Sequence, residues 1–203
     1  MNGIILAGGR ATRLGPLAAQ LNKSLISVGQ QPMLAHQVQQ LRRVGCERVV
    51  VVVSPDQLRQ VEDVATRAGL EVIVVKQPKP NGPADALWCG LPFVPNEPIT
   101  VLMADTYLDD VDVPLDDDVV VVAPAPVSRR WCWHTETGWT DDYALAGTPV
   151  AVGAYHFAST KRAREVCYEL CDGQEVEMAA FLNRYGETTQ LTATSWLDVG
   201  DLD

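Results

Sequence analysis

Apolar and amphipathic segments alternate along the first half of the chain. Ile4-Ile5-Leu6-Ala7 is a short apolar run ending on a Gly pair, which predicts a buried strand. From Pro32 to Val44, apolar Met33, Leu34, Val38 and Leu41 recur at helical spacing, opened by the proline and closed by Gly45. Val49 to Val53 is five valines in succession. A run that is apolar on every residue fits a strand covered on both faces, as in a parallel sheet. A helix over Gln57–Ala68, a strand over Val72–Val75, a helix over Ala84–Gly90 and a strand over Ile99–Met103 follow. This alternation predicts a doubly wound α/β sheet, with right-handed crossovers placing helices on both faces. The second half is less regular. Val119–Val122 and Val150–Phe157 read as strands, and Lys161–Cys171 and Val176–Tyr185 as helices. No repeat, low-complexity tract or linker interrupts the 203 residues, so a single domain over 1–203 is expected.

Composition narrows the class. With 47% hydrophobic and 21% charged residues the chain is ordinary globular, which excludes disorder and collagen-like repeats. A net charge of −10 argues against duplex nucleic acid or an anionic membrane as partner, although a small anion needs only a local basic pocket. Five cysteines without a C-x-x-C pair do not make a disulfide framework or a zinc ribbon. No apolar run reaches the roughly 18–20 residues of a membrane span. The N-terminus opens on a strand instead of a charged region and a long apolar core, so a cytoplasmic location is expected. Tryptophans expected at the surface of a short acidic chain leave self-association as a homo-oligomer open.

The most informative stretch is Leu6-Ala7-Gly8-Gly9-Arg10-Ala11-Thr12-Arg13-Leu14-Gly15-Pro16-Leu17, with Lys23 seven residues after Pro16. A Gly pair directly after a buried strand lets the backbone turn tightly and bring N–H groups close to an anion. Thr12 adds a hydroxyl donor, and Arg13 and Lys23 add charge-assisted donors for phosphate oxygens. The pattern is neither a Walker A loop nor G-x-G-x-x-G. Three further elements follow in order. Gln77-Pro78-Lys79-Pro80-Asn81-Gly82-Pro83-Ala84-Asp85-Ala86 offers an amide to a base edge and, at Gly82, a close approach to backbone. Asp105 directly follows the Ile99–Met103 strand; it is one of seven aspartates up to Asp118, most of which read as a solvated acidic loop. Trp196-Leu197-Asp198-Val199-Gly200 brings a second carboxylate from a distant segment.

Taken in order, these elements resemble the signature of the sugar-phosphate nucleotidyltransferases: roughly L-A-G-G-x-G-T-R-L-x-P-L then Pro-Lys or Ser-Lys, Q-P-x-P-x-G-x-A-x-A, an Asp at a strand end, and W-x-D-x-G. Ala11, Asn22 and Ala104 stand where the pattern commonly has Gly, Pro and Gly. The resemblance implies a three-layer Rossmann-like, GT-A-like fold of the nucleotide-diphospho-sugar transferase type, with a mixed, mostly parallel sheet. It implies transfer of a nucleoside monophosphate from an NTP to a sugar 1-phosphate, with Mg²⁺ as cofactor and pyrophosphate released. It places Leu6, Ala7, Gly8, Gly9, Arg10 and Thr12 around the nucleotide, together with Gln77, Pro80 and Gly82. It gives Arg13 the departing pyrophosphate, Lys23 the reacting phosphates, and Asp105 and Asp198 the metal. Glu177, in preference to Glu175, is put on the acceptor side with Trp131 and Gly153. For Trp131 and Trp133, which flank Cys132, core packing and stacking on the acceptor both stay open. Gly147-Thr148-Pro149 stands where a Glu-Lys-Pro element is frequent, so the acceptor's identity is open as well. A cytidylyltransferase acting on phosphocholine or another small phosphate, and a catalytically silent nucleotide-sensing subunit, are the alternatives. The molybdopterin guanylyltransferase type opens with a similar loop, from which the Gln77 and Asp198 elements set this chain apart.

Overall fold

A computed structural model of the chain describes residues 1–9, 22–108, 116–124, 132–142 and 147–198, except for the side chain of Asp198. In chain order the first elements are β1 (Asn2–Ala7), a 3₁₀ turn (Lys23–Leu25), β2 (Ser27–Val28), β3 (Gln31–Pro32), α1 (Met33–Arg43), β4 (Arg48–Val53) and α2 (Leu58–Arg67). β5 (Ile73–Lys76), α3 (Gly82–Gly90), β6 (Ile99–Met103) and β7 (Thr106–Leu108) complete that half. The second half holds β8 (Val119–Pro124), β9 (Trp133–Thr135), β10 (Gly138–Thr140), β11 (Pro149–Phe157), α4 (Thr160–Leu170), α5 (Met178–Tyr185), β12 (Thr189–Thr192) and β13 (Trp196–Asp198).

β1 lies in the middle of the sheet, buried at every residue, and pairs in parallel with β4 on one side and β6 on the other. β5 extends the β4 edge in parallel. Past β6 comes β11, antiparallel to both β6 and β8, and then β12, parallel to β8. β11 alone therefore runs against the common strand direction in the order β12-β8-β11-β6-β1-β4-β5. Alternate residues of the valine-rich strands feed two cores. Ile4, Leu6, Val50 and Val52 pack under α3, α4 and α5, while Ile5, Val49, Val51 and Val53 pack under α1 and α2. Helices thus cover both faces, as the unbroken apolar runs require.

β11 carries the irregularity that shapes the cleft. Its register against β8 shifts between Ala151 and Tyr155, and Gly153 in this bulge has φ +86°. A Cβ at Gly153 would lie 2.5 Å from Thr106 Oγ1, so only glycine lets the strand lie over the turn that follows β6.

The elements not anticipated are β2, β3, β7, β10, β12 and β13, each of two to four residues. Such strands are too short to display an alternation. The helix expected from Val176 begins at Met178, with Glu177 at its N-cap. Expectations about tryptophans change too. Trp133 is 0% exposed and packs in the core, which removes stacking for it, and Trp131 lies outside the described residues. No described tryptophan is among the exposed large apolar residues, which withdraws the expected surface exposure for Trp88, Trp133, Trp139 and Trp196. Asp118 is not part of a solvated loop, since its carboxylate accepts from Tyr185 Oη at 2.7 Å and Ala158 N at 2.8 Å. Among the described residues no helix is long and apolar enough to cross a membrane.

Candidate active site

The parallel strands β1 and β6 run side by side with Leu6 opposite Met103, so Gly8–Gly9 and Asp105 emerge together at the C-terminal edge of the sheet. This is where ligands bind in open α/β folds. A cavity of about 370 Å³ opens there, lined by Gly8, Gly9, Lys23, Gln77, Gly82 and Asp105 among others; Leu6, Ala7 and Pro80 also contribute. A second cavity of about 210 Å³ adjoins it, lined by Asp141, Gly153, Tyr155 and Trp196 among others. Lys23, Asp105 and Glu177 line both. At the junction Lys23 Nζ donates to Asp105 Oδ2 at 3.1 Å, with the two side chains 15% and 28% exposed.

Two buried amides, which the sequence reading did not single out as functional, hold this pair in register. Asn22 caps the 3₁₀ turn that begins at Lys23 by accepting from Ser24 N and Oγ at 2.9 and 2.6 Å. It donates to Ala7 O at 2.8 Å and Gln57 Oε1 at 2.9 Å, tying that turn to the end of β1. Where proline would restrain the chain by its ring, Asn22 does so through four hydrogen bonds. Gln37, on α1, donates to Met103 O at 2.6 Å and Thr106 O at 3.0 Å, the carbonyls on either side of Asp105. Thr106 Oγ1 in turn donates to Val152 O at 2.7 Å beside the Gly153 bulge. Asn22→Leu and Gln37→Met are therefore expected to lower turnover at saturating substrate by roughly 10²-fold, because displacements near 1 Å in a reacting array have effects of that size. Steady-state kinetics check this, and a change confined to KM would contradict it.

The predicted nucleotide residues are placed unevenly. Gly8 packs against Gln77, whose Oε1 would lie 2.3 Å from a Cβ at that position. Gln77 is 3% exposed, and its Nε2 donates to Gly82 O at 3.0 Å and Asp85 Oδ2 at 2.9 Å. Both partners only accept, so the amide nitrogen must face them, and what Gln77 keeps for a ligand is an acceptor, not the donor–acceptor pair its chemistry allows. Gly82 has φ +86°, and a Cβ there would meet Val176 O at 2.4 Å. The need for glycine thus comes from the approach of the Val176 backbone, not from a base. Arg10, Thr12, Arg13 and Trp131 lie outside the described residues. Asp198 pairs with Thr106 across β13 and β7, which brings its backbone beside Asp105.

Charge in the second cavity is mainly negative. Burial, then the neighbouring Asp142, pushes the Asp141 carboxyl up to about 6, and burial, then Asp141 and Glu175, raises Glu177. Folded Asp141 keeps its proton up to about pH 6, whereas the unfolded chain releases it near pH 4. Stability therefore falls as the pH rises through that interval and stays lower above it. Asp141→Asn escapes this loss, so its unfolding midpoint should gain on the parent's between pH 4 and pH 7; a constant difference would refute the assignment.

The sheet and its two joined cavities define the α/β nucleotidyltransferase fold. A Bacillus anthracis structure assigned as a glucose-1-phosphate thymidylyltransferase superposes with a TM-score of 0.84 over 100% of this chain and 91% of that one, at 23% identity. Residues 3–115 match the MobA-like NTP transferase domain, and the chain belongs to that family. Glucose-1-phosphate thymidylyltransferase of Neisseria meningitidis is 30% identical over 108 residues, 52% of this chain and 38% of the relative. A probable mannose-1-phosphate guanylyltransferase of Oryza sativa is 33% identical over 90 residues, 43% of this chain and 25% of the relative. The matched stretch thus spans well under half the length of either curated relative.

Proposed function

We propose that the chain transfers a nucleoside monophosphate from an NTP to a sugar 1-phosphate, releasing pyrophosphate and forming an NDP-sugar. The observation that carries this reading is the meeting of two cavities at one Lys23–Asp105 pair. Such a layout gives each of two substrates its own chamber and leaves the reacting atoms at the junction. Both curated relatives carry names of this reaction class, one for a thymidylyl and one for a guanylyl group.

The chemistry asks for little acid–base work. An acceptor phosphate oxygen, already an anion at neutral pH, forms the new bond to the α-phosphorus. The bond from that phosphorus to the bridging oxygen breaks, and pyrophosphate leaves with the electron pair. What the protein must do is align two polyanions and offset the charge that accumulates between them. Lys23 at the junction would reach the α-phosphate and the acceptor phosphate together. Arg13 would take the departing pyrophosphate, and the Gly8–Gly9 backbone with Gln77 would seat the nucleotide. Glu177 and Gly153, which line the second chamber, would face the acceptor.

Mg²⁺ is the cofactor this reading requires. The Asp105 carboxylate lines both chambers, and β13 brings the Asp198 backbone alongside it. Among the described residues no group of three or more His, Cys, Asp or Glu could hold a metal. One or two carboxylates completed by substrate phosphates and water is the set Mg²⁺ favours, so the residues fit it. Bound there by Asp105 and Asp198, the ion would supply positive charge to the phosphate oxygens. Pyrophosphate release, measured with Mg²⁺ across the common NTPs and a panel of hexose 1-phosphates and small phosphate esters, tests the assignment. One productive pairing is the expected result. Nucleotide binding without release in any pairing would reject transfer and favour the sensing subunit.

A further inference from the structure

The second chamber holds more negative charge than the transfer reaction uses. Besides Asp105 it is walled by Asp141 and Glu177, and neither of these carboxylates accepts a hydrogen bond from a described residue. Tyr155 lines the same chamber from a side chain only 3% exposed, and its hydroxyl has no hydrogen-bond partner among the described residues. Burial first, and then Cys132, Asp141, Asp105 and Glu177, raises that phenol, so these groups lie close to it around the chamber it lines. Lys23 is the chamber's single basic lining residue among those described, and Asp105 holds its ammonium.

Two kinds of organic occupant are compared for the wall away from Lys23. A neutral hydroxylated molecule would satisfy hydrogen bonds but bring no counter-charge to two half-buried carboxylates that have none among the described residues. A protonated amine does both, donating to the carboxylates and to the tyrosine oxygen while balancing the charge. We infer that the acceptor carries a protonated amine as well as its phosphate, and that Asp141, Glu177 and the Tyr155 hydroxyl receive that amine. This rests on the transfer reading and deepens it. The phosphate is drawn to Lys23 at the junction, and the amine lies towards the opposite wall. The raised carboxyls of Asp141 and Glu177 agree with it, because a site that holds charge at an unfavourable desolvation is relieved by a cation. Two sources share this chemistry, an amino-sugar phosphate and an aminoalkyl phosphate.

Matched pairs that exchange only nitrogen for oxygen test it. They are glucosamine 1-phosphate against glucose 1-phosphate, and 2-aminoethyl phosphate against 2-hydroxyethyl phosphate. Acceptor affinity by calorimetry and pyrophosphate release are both measured on the full chain with Mg²⁺ and NTP. In at least one pair the amine should bind roughly tenfold or more tightly than its hydroxyl partner, and the pair that responds identifies the source. Asp141→Asn, and independently Glu177→Gln, should bring that ratio towards one, with folding checked by unfolding midpoint. Equal or better binding of the hydroxyl member in both pairs overturns the inference, as does a ratio that neither variant moves. Turnover without amine preference removes this inference and leaves the transfer reading standing. Amine-selective binding without turnover of any acceptor does the reverse, and no binding of any acceptor rejects both.

Discussion

Lys23→Ala should lower pyrophosphate release by roughly 10²–10³-fold, the usual consequence of removing one preorganised charge from a site where charge develops. Asp105→Ala should do the same. Neither variant should unfold the chain. The two side chains are partly exposed at 15% and 28%, and a solvent-reached ion pair contributes about 1 kcal/mol or less. Expected values therefore combine a large loss of turnover with an unfolding midpoint within a few degrees of the parent, roughly 2–4 °C per kcal/mol at this size. The double variant should lose little beyond either single one, because residues that act as a unit fail together. Steady-state pyrophosphate release and thermal unfolding on the four proteins decide it. Retained activity in both single variants would sink the transfer reading.

Gly82→Ala should produce the largest loss of stability. The residue has φ +86°, a conformation that an L side chain adopts at a cost of roughly 1–3 kcal/mol. Its Cβ would also lie 2.4 Å from Val176 O and 2.9 Å from Val176 C, atoms of backbone that cannot rotate away. Overlap of that kind adds a comparable amount. The contact is reinforced by Ala84 N donating to Val176 O at 3.1 Å and Val176 N donating to Asn81 O at 2.9 Å. Relief requires the 175–177 segment to retreat, and it would carry Glu177 out of the junction. A fall in the unfolding midpoint of about 5–15 °C is expected, accompanied by a raised KM for the acceptor. A midpoint equal to the parent's would show that the Val176 backbone gives way more easily than its hydrogen bonds imply.

Much of the scaffold was legible because burial on both faces leaves a plain mark. Five successive valines cannot alternate between core and solvent, so Val49–Val53 had to be a central strand, and the helices at Pro32–Val44 and Gln57–Ala68 followed from their spacing within one residue at each end. The short strands left no such mark. β7 and β13 hold three residues each, and what makes them strands is their pairing with each other across 88 positions or more of sequence. The same distinction runs through the site. Gly8, Gly9, Lys23 and Asp105 could be singled out because their residue types and positions after strands already state a chemistry. Asn22 and Gln37 read as an irregularity and as one polar residue in a helix, since their roles consist of partners 15 to 69 residues away.

By itself, then, the sequence determined the alternating α/β scaffold and the kinds of group gathered at its strand ends, because local periodicity and residue chemistry are properties of neighbouring positions. Only the tertiary structure decided that two chambers share one Lys23–Asp105 pair, that Gly82 makes room for Val176, and that Asp141, Glu177 and Tyr155 face one space. Each of these depends on which distant segments come into contact, and contact between distant segments is set by the packing of the whole chain.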